Sequence, residues 1–113
     1  MAARAFFLAL LAGATLPALA QKATAPELFR RADKGHCIAC HQLPAGTGTP
    51  TRSDLGPALA GMRMRELGKV KLRELIQDPT QANPATLMPP YGRHHILEAG
   101  EISRLADFLH ALP

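Results

Sequence analysis

The stretch "HCIACHQL", residues 36–43, decides how this chain is read. Cys37 and Cys40 stand three apart, and His41 follows directly. On a helical turn that spacing lets two thiols add to the two vinyl groups along one edge of a porphyrin. The next side chain is then carried under the iron, where its imidazole becomes an axial ligand. C-x-x-C-H is the attachment signature of haem c, and the chain has no other cysteine. Three other readings compete. A thioredoxin-like dithiol needs a βαβ context, which the sequence lacks. Zinc needs two further ligands, and His94 and His95 are adjacent, a poor spacing for two. A disulfide across two residues closes a tight loop of little stabilising value. Covalent haem leads, with Cys37 and Cys40 as attachment points and His41 as iron ligand.

A histidine-bound haem iron has one more axial position. A methionine there raises the potential and suits electron transfer, whereas an open position suits small-molecule binding. The candidates are Met62, Met64, Met88, His36, His94, His95 and His110. Met88, in "TLMPPYGRHH", lies 47 residues beyond His41, far enough to cross to the other haem face. Pro89 and Pro90 fix two φ angles beside it, so a stiff backbone presents its sulfur. Met62 and Met64 lie near a helix start and are expected to pack in the core. His94 and His95 are expected at the surface or facing a partner, and His36 is expected to point away from the ring. His110 falls in a last helical turn, where a cation is favourable. An iron-bound histidine needs an acceptor for its other ring nitrogen. The Pro57 carbonyl, in "DLGPALAG" at 54–61, is the candidate.

Around these residues the chain is short and thin in core. Residues 1–20 read as a secretory signal peptide: Arg4, the apolar run Ala5–Leu16, and "ALA" at 18–20 before the cut. The run is too short for a span, which takes about 20 residues, and no other segment is long enough. A soluble exported protein follows, periplasmic in a bacterium. The remaining 21–113 form one domain. They carry twelve Lys/Arg against nine Asp/Glu, scattered singly or in pairs. No aromatic interleaving suggests nucleic acid. Only Phe29, Tyr91 and Phe108 are aromatic, against nine Pro and eight Gly. Small domains are marginal without extra help, and a buried porphyrin would supply the missing apolar mass.

The periodicities predict an all-α fold with three helices and long loops. The first spans 26–35, with Pro26 in the first turn, Leu28, Phe29 and Ala32 on one side, and Gly35 at the end. The second spans 65–77 with a Leu72, Leu75, Ile76 stripe, ended by Pro79. The third spans 98–111, with Ile102, Leu105, Ala106 and Leu109 at helical spacing. Residues 42–61 and 79–97 read as irregular loops able to wrap a large ligand.

Taken together, "CIACH", "LGPALAG", a Met-Pro loop and an amphipathic last helix resemble class I cytochromes c. The resemblance implies that the first and last helices pack together beside one haem. A narrower similarity lies at 86–97. "MPPYGRHHIL" preceded by "ANPATL", with "GHCIACHQLP" and "KLRELIQDPTQANP", is similar to the SoxX subunit family of SoxAX cytochromes. There a Met-Pro-Pro-aromatic-Gly-Arg-His segment carries the axial methionine, here Met88. This likeness implies a mono-haem electron-transfer subunit paired with the haem protein SoxA. Their complex oxidatively joins thiosulfate to a cysteine of the SoxYZ carrier, the thiol chemistry lies on the SoxA side, and electrons pass to a cytochrome acceptor. Tyr91, Ile96 and Leu97 are the expected apolar patch for such a partner. With both thiols tied to haem, no nucleophile–base constellation is left for catalysis. The alternative is a free electron shuttle. Two features depart from the family pattern: only 16 residues precede Cys37 in the exported chain, and Glu98 replaces the usual Ser/Thr cap.

Overall fold

The computed structural model describes residues 21–47 and 53–113. The signal-peptide reading of 1–20 lies outside the described residues. Three helices and no strand occur among them, so the fold is all-α.

Helix α1 spans Ala25–Arg30. Its start is fixed by Glu27, whose carboxylate accepts from the Thr24 backbone N–H at 2.7 Å and from the Thr24 hydroxyl at 2.8 Å. That satisfies an amide the helix cannot pair internally. Leu28 and Phe29 are buried. The expected helix through Gly35 is corrected: Arg31 is extended, and Ala32–Lys34 forms a 3-10 turn. The reason lies in the turn closure. The Arg31 carbonyl accepts from the N–H groups of Lys34 and His36, with Gly35 between them at φ 105°. Ala32 consequently faces solvent rather than the core.

Helix α2 spans Gly61–Gln77, beginning four residues before the expected start. Tertiary partners account for the extra turn. The Gly61 N–H donates to the Pro113 carbonyl at 3.1 Å, and Arg65 donates to the Leu112 carbonyl at 2.8 Å. Met64 is buried as expected, but Met62 is not: it is 68% exposed. Gly68 interrupts the helix at φ 77°, ψ 159°, a conformation essentially reserved for glycine. Beyond it Leu72 and Ile76 are buried and Leu75 half-buried.

Helix α3 spans Ala99–His110 and buries Ile102, Leu105, Ala106 and Leu109, the four positions of the sequence stripe. Its start is better capped than Glu98 alone suggested. The Glu98 N–H donates to the Glu101 carboxylate at 2.9 Å, the half of a capping box that the third helical residue supplies. Packing joins the helices at α3: Phe29 of α1 meets Phe108 edge to face at 6.5 Å, and Lys69 of α2 pairs with Asp107 at 2.9 Å.

Glu101 also pairs with Lys34 at 3.0 Å, both side chains largely covered. Burial alone would raise its carboxyl. The Glu98 N–H and the Lys34 ammonium outweigh that and hold it below the usual carboxylate range. Its contribution to stability is therefore full above the ordinary carboxylate pKa of about 4.3 and is lost as pH falls through the lowered folded value. Glu101→Gln is expected to flatten the acid limb of a melting-temperature profile between about pH 5 and 3. An unchanged acid limb would show that Glu101 carries none of it.

Candidate haem-binding site

The C-x-x-C-H segment is shaped locally before anything is bound. His36 sits in the left-handed region at φ 50°, and Cys37–Ala39 forms a 3-10 turn. The N–H groups of Cys40 and His41 both donate to the Cys37 carbonyl, at 3.1 and 2.9 Å. That closure puts the two sulfurs and the imidazole on one short turn. The thiols are free; Cys37 is half-buried and packs against the core, while Cys40 is exposed. Burial pushes the Cys37 thiol up to about 11.

Residues 54–61 are pinned alongside. The Gly56 N–H donates to the Cys40 carbonyl at 2.8 Å and the Leu59 N–H to the Gln42 carbonyl at 2.9 Å. This brings the Pro57 carbonyl 2.8 Å from His41 Nδ1. A carbonyl only accepts, so Nδ1 donates to it and Nε2 is the ring nitrogen left for a metal. Gly56 lies flat against the same ring: a Cβ there would stand 2.6 Å from Cε1 and 2.8 Å from Nδ1. Gly56→Ala is expected to push the imidazole off the Pro57 carbonyl at a cost of about 1–3 kcal/mol, the range for overpacking a filled site. Thermal unfolding and the ligand-field spectrum of the loaded protein would register it. A parent-like result in both would mean that the ring tolerates the methyl.

The methionine loop reaches the same region from the other end of the chain. Met88 is half-buried against the core cluster, its N–H held by the Thr86 hydroxyl at 3.1 Å. Tyr91 anchors the loop. It is buried, and its hydroxyl donates to the Gly35 carbonyl at 3.1 Å, two residues before Cys37. Burial, with the nearby thiols of Cys37 and Cys40 adding to it, pushes its phenol up to about 12 and keeps it a donor. The N–H groups of Gly92 and Arg93 both donate to the Gln77 carbonyl at the end of α2, and Arg93 pairs with Asp78 at 3.3 Å. Asp78 in turn caps the turn Pro79–Gln81 by accepting from the Thr80 N–H. The residues after Met88 therefore fasten its loop to α2 and to the cysteine turn. Gly35, Gly56, Tyr91 and Gly92 escaped the sequence reading as site-building residues. Gly35 directly before the motif and Tyr91 beside Gly92 were the available signals.

The expected partner patch is corrected by the same packing. Tyr91 and Leu97 belong to the buried core and Ile96 is half-buried, because the loop turns its apolar side chains inward to hold itself in place. His94 and His95 are exposed, as is His36.

The side chains present fit a covalently held porphyrin. Four large apolar side chains are strongly exposed among the described residues: Leu55, Met62, Val70 and Leu87. Leu55 directly precedes Gly56 and Pro57, and Leu87, at 91% exposed, directly precedes Met88. A flat apolar group lying against either loop would take its leucine out of water, at about 25 cal/mol per Å² covered. The donor set is two free thiols, an imidazole whose Nδ1 is occupied by the Pro57 carbonyl, and a thioether. Among the described residues no three His, Cys, Asp or Glu side chains converge to hold a bare ion. No helix among them is long and apolar enough to cross a membrane.

Comparison with known families matches residues 22–113 to the cytochrome c family. The comparisons with curated proteins and with solved structures each found no match.

Proposed function

This chain belongs to the cytochrome c family, which holds haem c covalently and transfers electrons in a class I fold; from that premise we propose that it is a mono-haem periplasmic cytochrome of the SoxX type. Its iron is ligated by His41 and Met88, with Cys37 and Cys40 bonded to the porphyrin. It takes electrons from a SoxA haem subunit during oxidative coupling of thiosulfate to the SoxYZ carrier and passes them to a cytochrome acceptor.

The observation that carries the ligand assignment is the geometry on the two loops. The Pro57 carbonyl, 2.8 Å from Nδ1, leaves the His41 Nε2 as the coordinating atom. On the other loop the Tyr91–Gly35 hydrogen bond ties the segment after Met88 to the residue two before Cys37, and Pro89 and Pro90 stiffen the backbone that carries the thioether. When bound, the haem supplies a one-electron couple. The chain's own residues fix the imidazole, shield the metal from water and raise the potential through a sulfur ligand. Support for the SoxX reading comes from the run 88–95, "MPPYGRHH", in which Tyr91, Gly92 and Arg93 each have a place in holding the methionine loop.

A freely diffusing shuttle is the second reading, favoured by the burial of Tyr91 and Leu97, which removes the apolar patch expected for a permanent partner. Native mass measurement of the haem-loaded protein from its periplasm, at gentle ionic strength, separates the two. A stable complex with a second, larger haem protein supports the SoxX assignment. A monomer carrying one haem overturns it and leaves the shuttle.

A further inference from the structure

Asp78 stands where the methionine loop both leaves α2 and returns to it. Its side chain is mostly covered, at 11% exposed. On the outgoing arm the Thr80 N–H donates to its carboxylate at 3.1 Å, as do the Thr80 hydroxyl and, at 3.3 Å, the Gln81 side-chain amide. On the returning arm Arg93 pairs with the same carboxylate at 3.3 Å. The neighbouring Gln77 carbonyl accepts from the N–H groups of Gly92 and Arg93 at 3.1 and 3.0 Å. Residues 78–93 are thus closed into a loop at one point.

From that point each arm is bonded to itself as far as the methionine. Outward, the Pro79 carbonyl accepts from the N–H groups of Ala82 and Asn83. Asn83 then accepts from the Ala85 N–H through its side chain and from the Thr86 N–H through its carbonyl. The Thr86 hydroxyl accepts from the Met88 N–H at 3.1 Å. On the way back the Pro89 carbonyl accepts from the Tyr91 N–H and the Pro90 carbonyl from the His94 N–H. Tyr91, the loop's other anchor, ties only the returning arm to Gly35.

We propose that Asp78 is a positioning residue for the sulfur ligand: by joining both arms of the loop it sets how often the Met88 thioether leaves the sixth position. The inference rests on Met88 as an iron ligand. A compact surface loop whose ends are held together moves as a unit, and it opens when its closure does. A competing ligand must wait for that opening, so its apparent affinity rises with the fraction of molecules that are open. Asp78 acts here through Thr80, Gln81 and Arg93.

The test titrates the full, oxidised, haem-loaded protein with free imidazole and follows the loss of the iron–sulfur absorption band. Asp78→Ala is expected to tighten imidazole binding at least tenfold. Asp78→Asn keeps an acceptor for the Thr80 N–H but no charge for Arg93, and it should tighten binding several-fold, as should Arg93→Ala. Combining the last two should do no more than either alone, because both remove one interaction. Asp107→Asn breaks the Lys69 pair between α2 and α3, which has no tie to the loop. It should leave imidazole affinity within twofold of the parent even where it lowers the melting temperature. Asp78→Ala and Arg93→Ala both within twofold of the parent would overturn the proposal, as would an Asp107→Asn effect equal to that of Asp78→Ala. If Asp78→Ala does not fold, Asp78→Asn and Arg93→Ala decide by the same criterion. Met88→Ala separates the two levels of the argument. Tighter imidazole binding in Met88→Ala alone would overturn the role of Asp78 and keep the ligand. Unchanged binding in Met88→Ala would overturn the ligand assignment and this inference with it.

Discussion

Met88→Ala is expected to let the reduced, haem-loaded protein bind carbon monoxide, which the parent should not do, and to lower its reduction potential on the scale of about 0.1 V. The direction follows from the ligand. A thioether favours the reduced iron, and axial ligation as a whole spans about 0.8 V. For a one-electron couple each ~59 mV is tenfold in the equilibrium constant, so the shift would reverse the direction of transfer to many acceptors. The loop should survive the substitution. Its anchors are Tyr91 on Gly35 and Gly92 and Arg93 on Gln77, none of which involves the sulfur. A variant with parent-like melting temperature, no carbon monoxide binding and an unchanged potential would exclude Met88 as the sixth ligand. Met62 is the wrong replacement candidate in that event only if it stays distant; Met62→Ala in the same assay decides it.

Gly35→Ala should produce a large loss of stability for a single added methyl. Two costs coincide there. The residue sits at φ 105°, and left-handed backbone costs an L-residue about 1–2 kcal/mol. Its new Cβ would lie 2.3 Å from Tyr91 Cε1 and 2.8 Å from Cδ1. Tyr91 is buried and hydrogen-bonded to Gly35 itself, so the ring has nowhere to retreat. Overpacking adds about 1–3 kcal/mol. Together they make about 2–5 kcal/mol, a large part of the ~5–15 kcal/mol that holds a domain together. The melting temperature should fall by roughly 10–40 °C. The steric share can be isolated with Tyr91→Leu, because the double variant should cost less than the two single ones combined. A Gly35→Ala protein within ~0.5 kcal/mol of the parent would show that the backbone at 35 relaxes freely.

The three helices were legible because each buries a stripe that repeats at helical spacing, and α3 was legible nearly to the residue. The errors fall where tertiary contacts overrule local pattern. Nothing local to residues 26–35 reveals that the Arg31 carbonyl is captured by His36, which ends α1 at Arg30. Nothing local to 61–64 shows that Leu112 and Pro113 will satisfy the start of α2. Candidate site residues stand out in a sequence when their chemistry is rare, as with two cysteines and a following histidine. The Pro57 carbonyl could be named because an iron-bound imidazole needs an acceptor, and the structure puts that oxygen 2.8 Å from the ring. The partner patch failed for a different reason. Tyr91, Ile96 and Leu97 are apolar beside a functional loop, and a sequence does not say whether such residues face outward to bind or inward to brace.

The interruption at Gly68 has a further consequence for motion. Across it α2 is two pieces whose allegiances differ. Residues 61–67 hold the chain's last described residues through Gly61 and Arg65, whereas residues 69–77 hold Asp107 through Lys69 and the methionine loop through Gln77. Local opening follows shared hydrogen bonds rather than helix labels. The amides of 61–67 should therefore exchange with deuterium in step with residues 112–113, and those of 69–77 in step with 91–93. One stretch called a helix would then behave as two cooperative units, and the half nearer Pro57 could open while the half that clamps the sulfur-bearing loop stays shut.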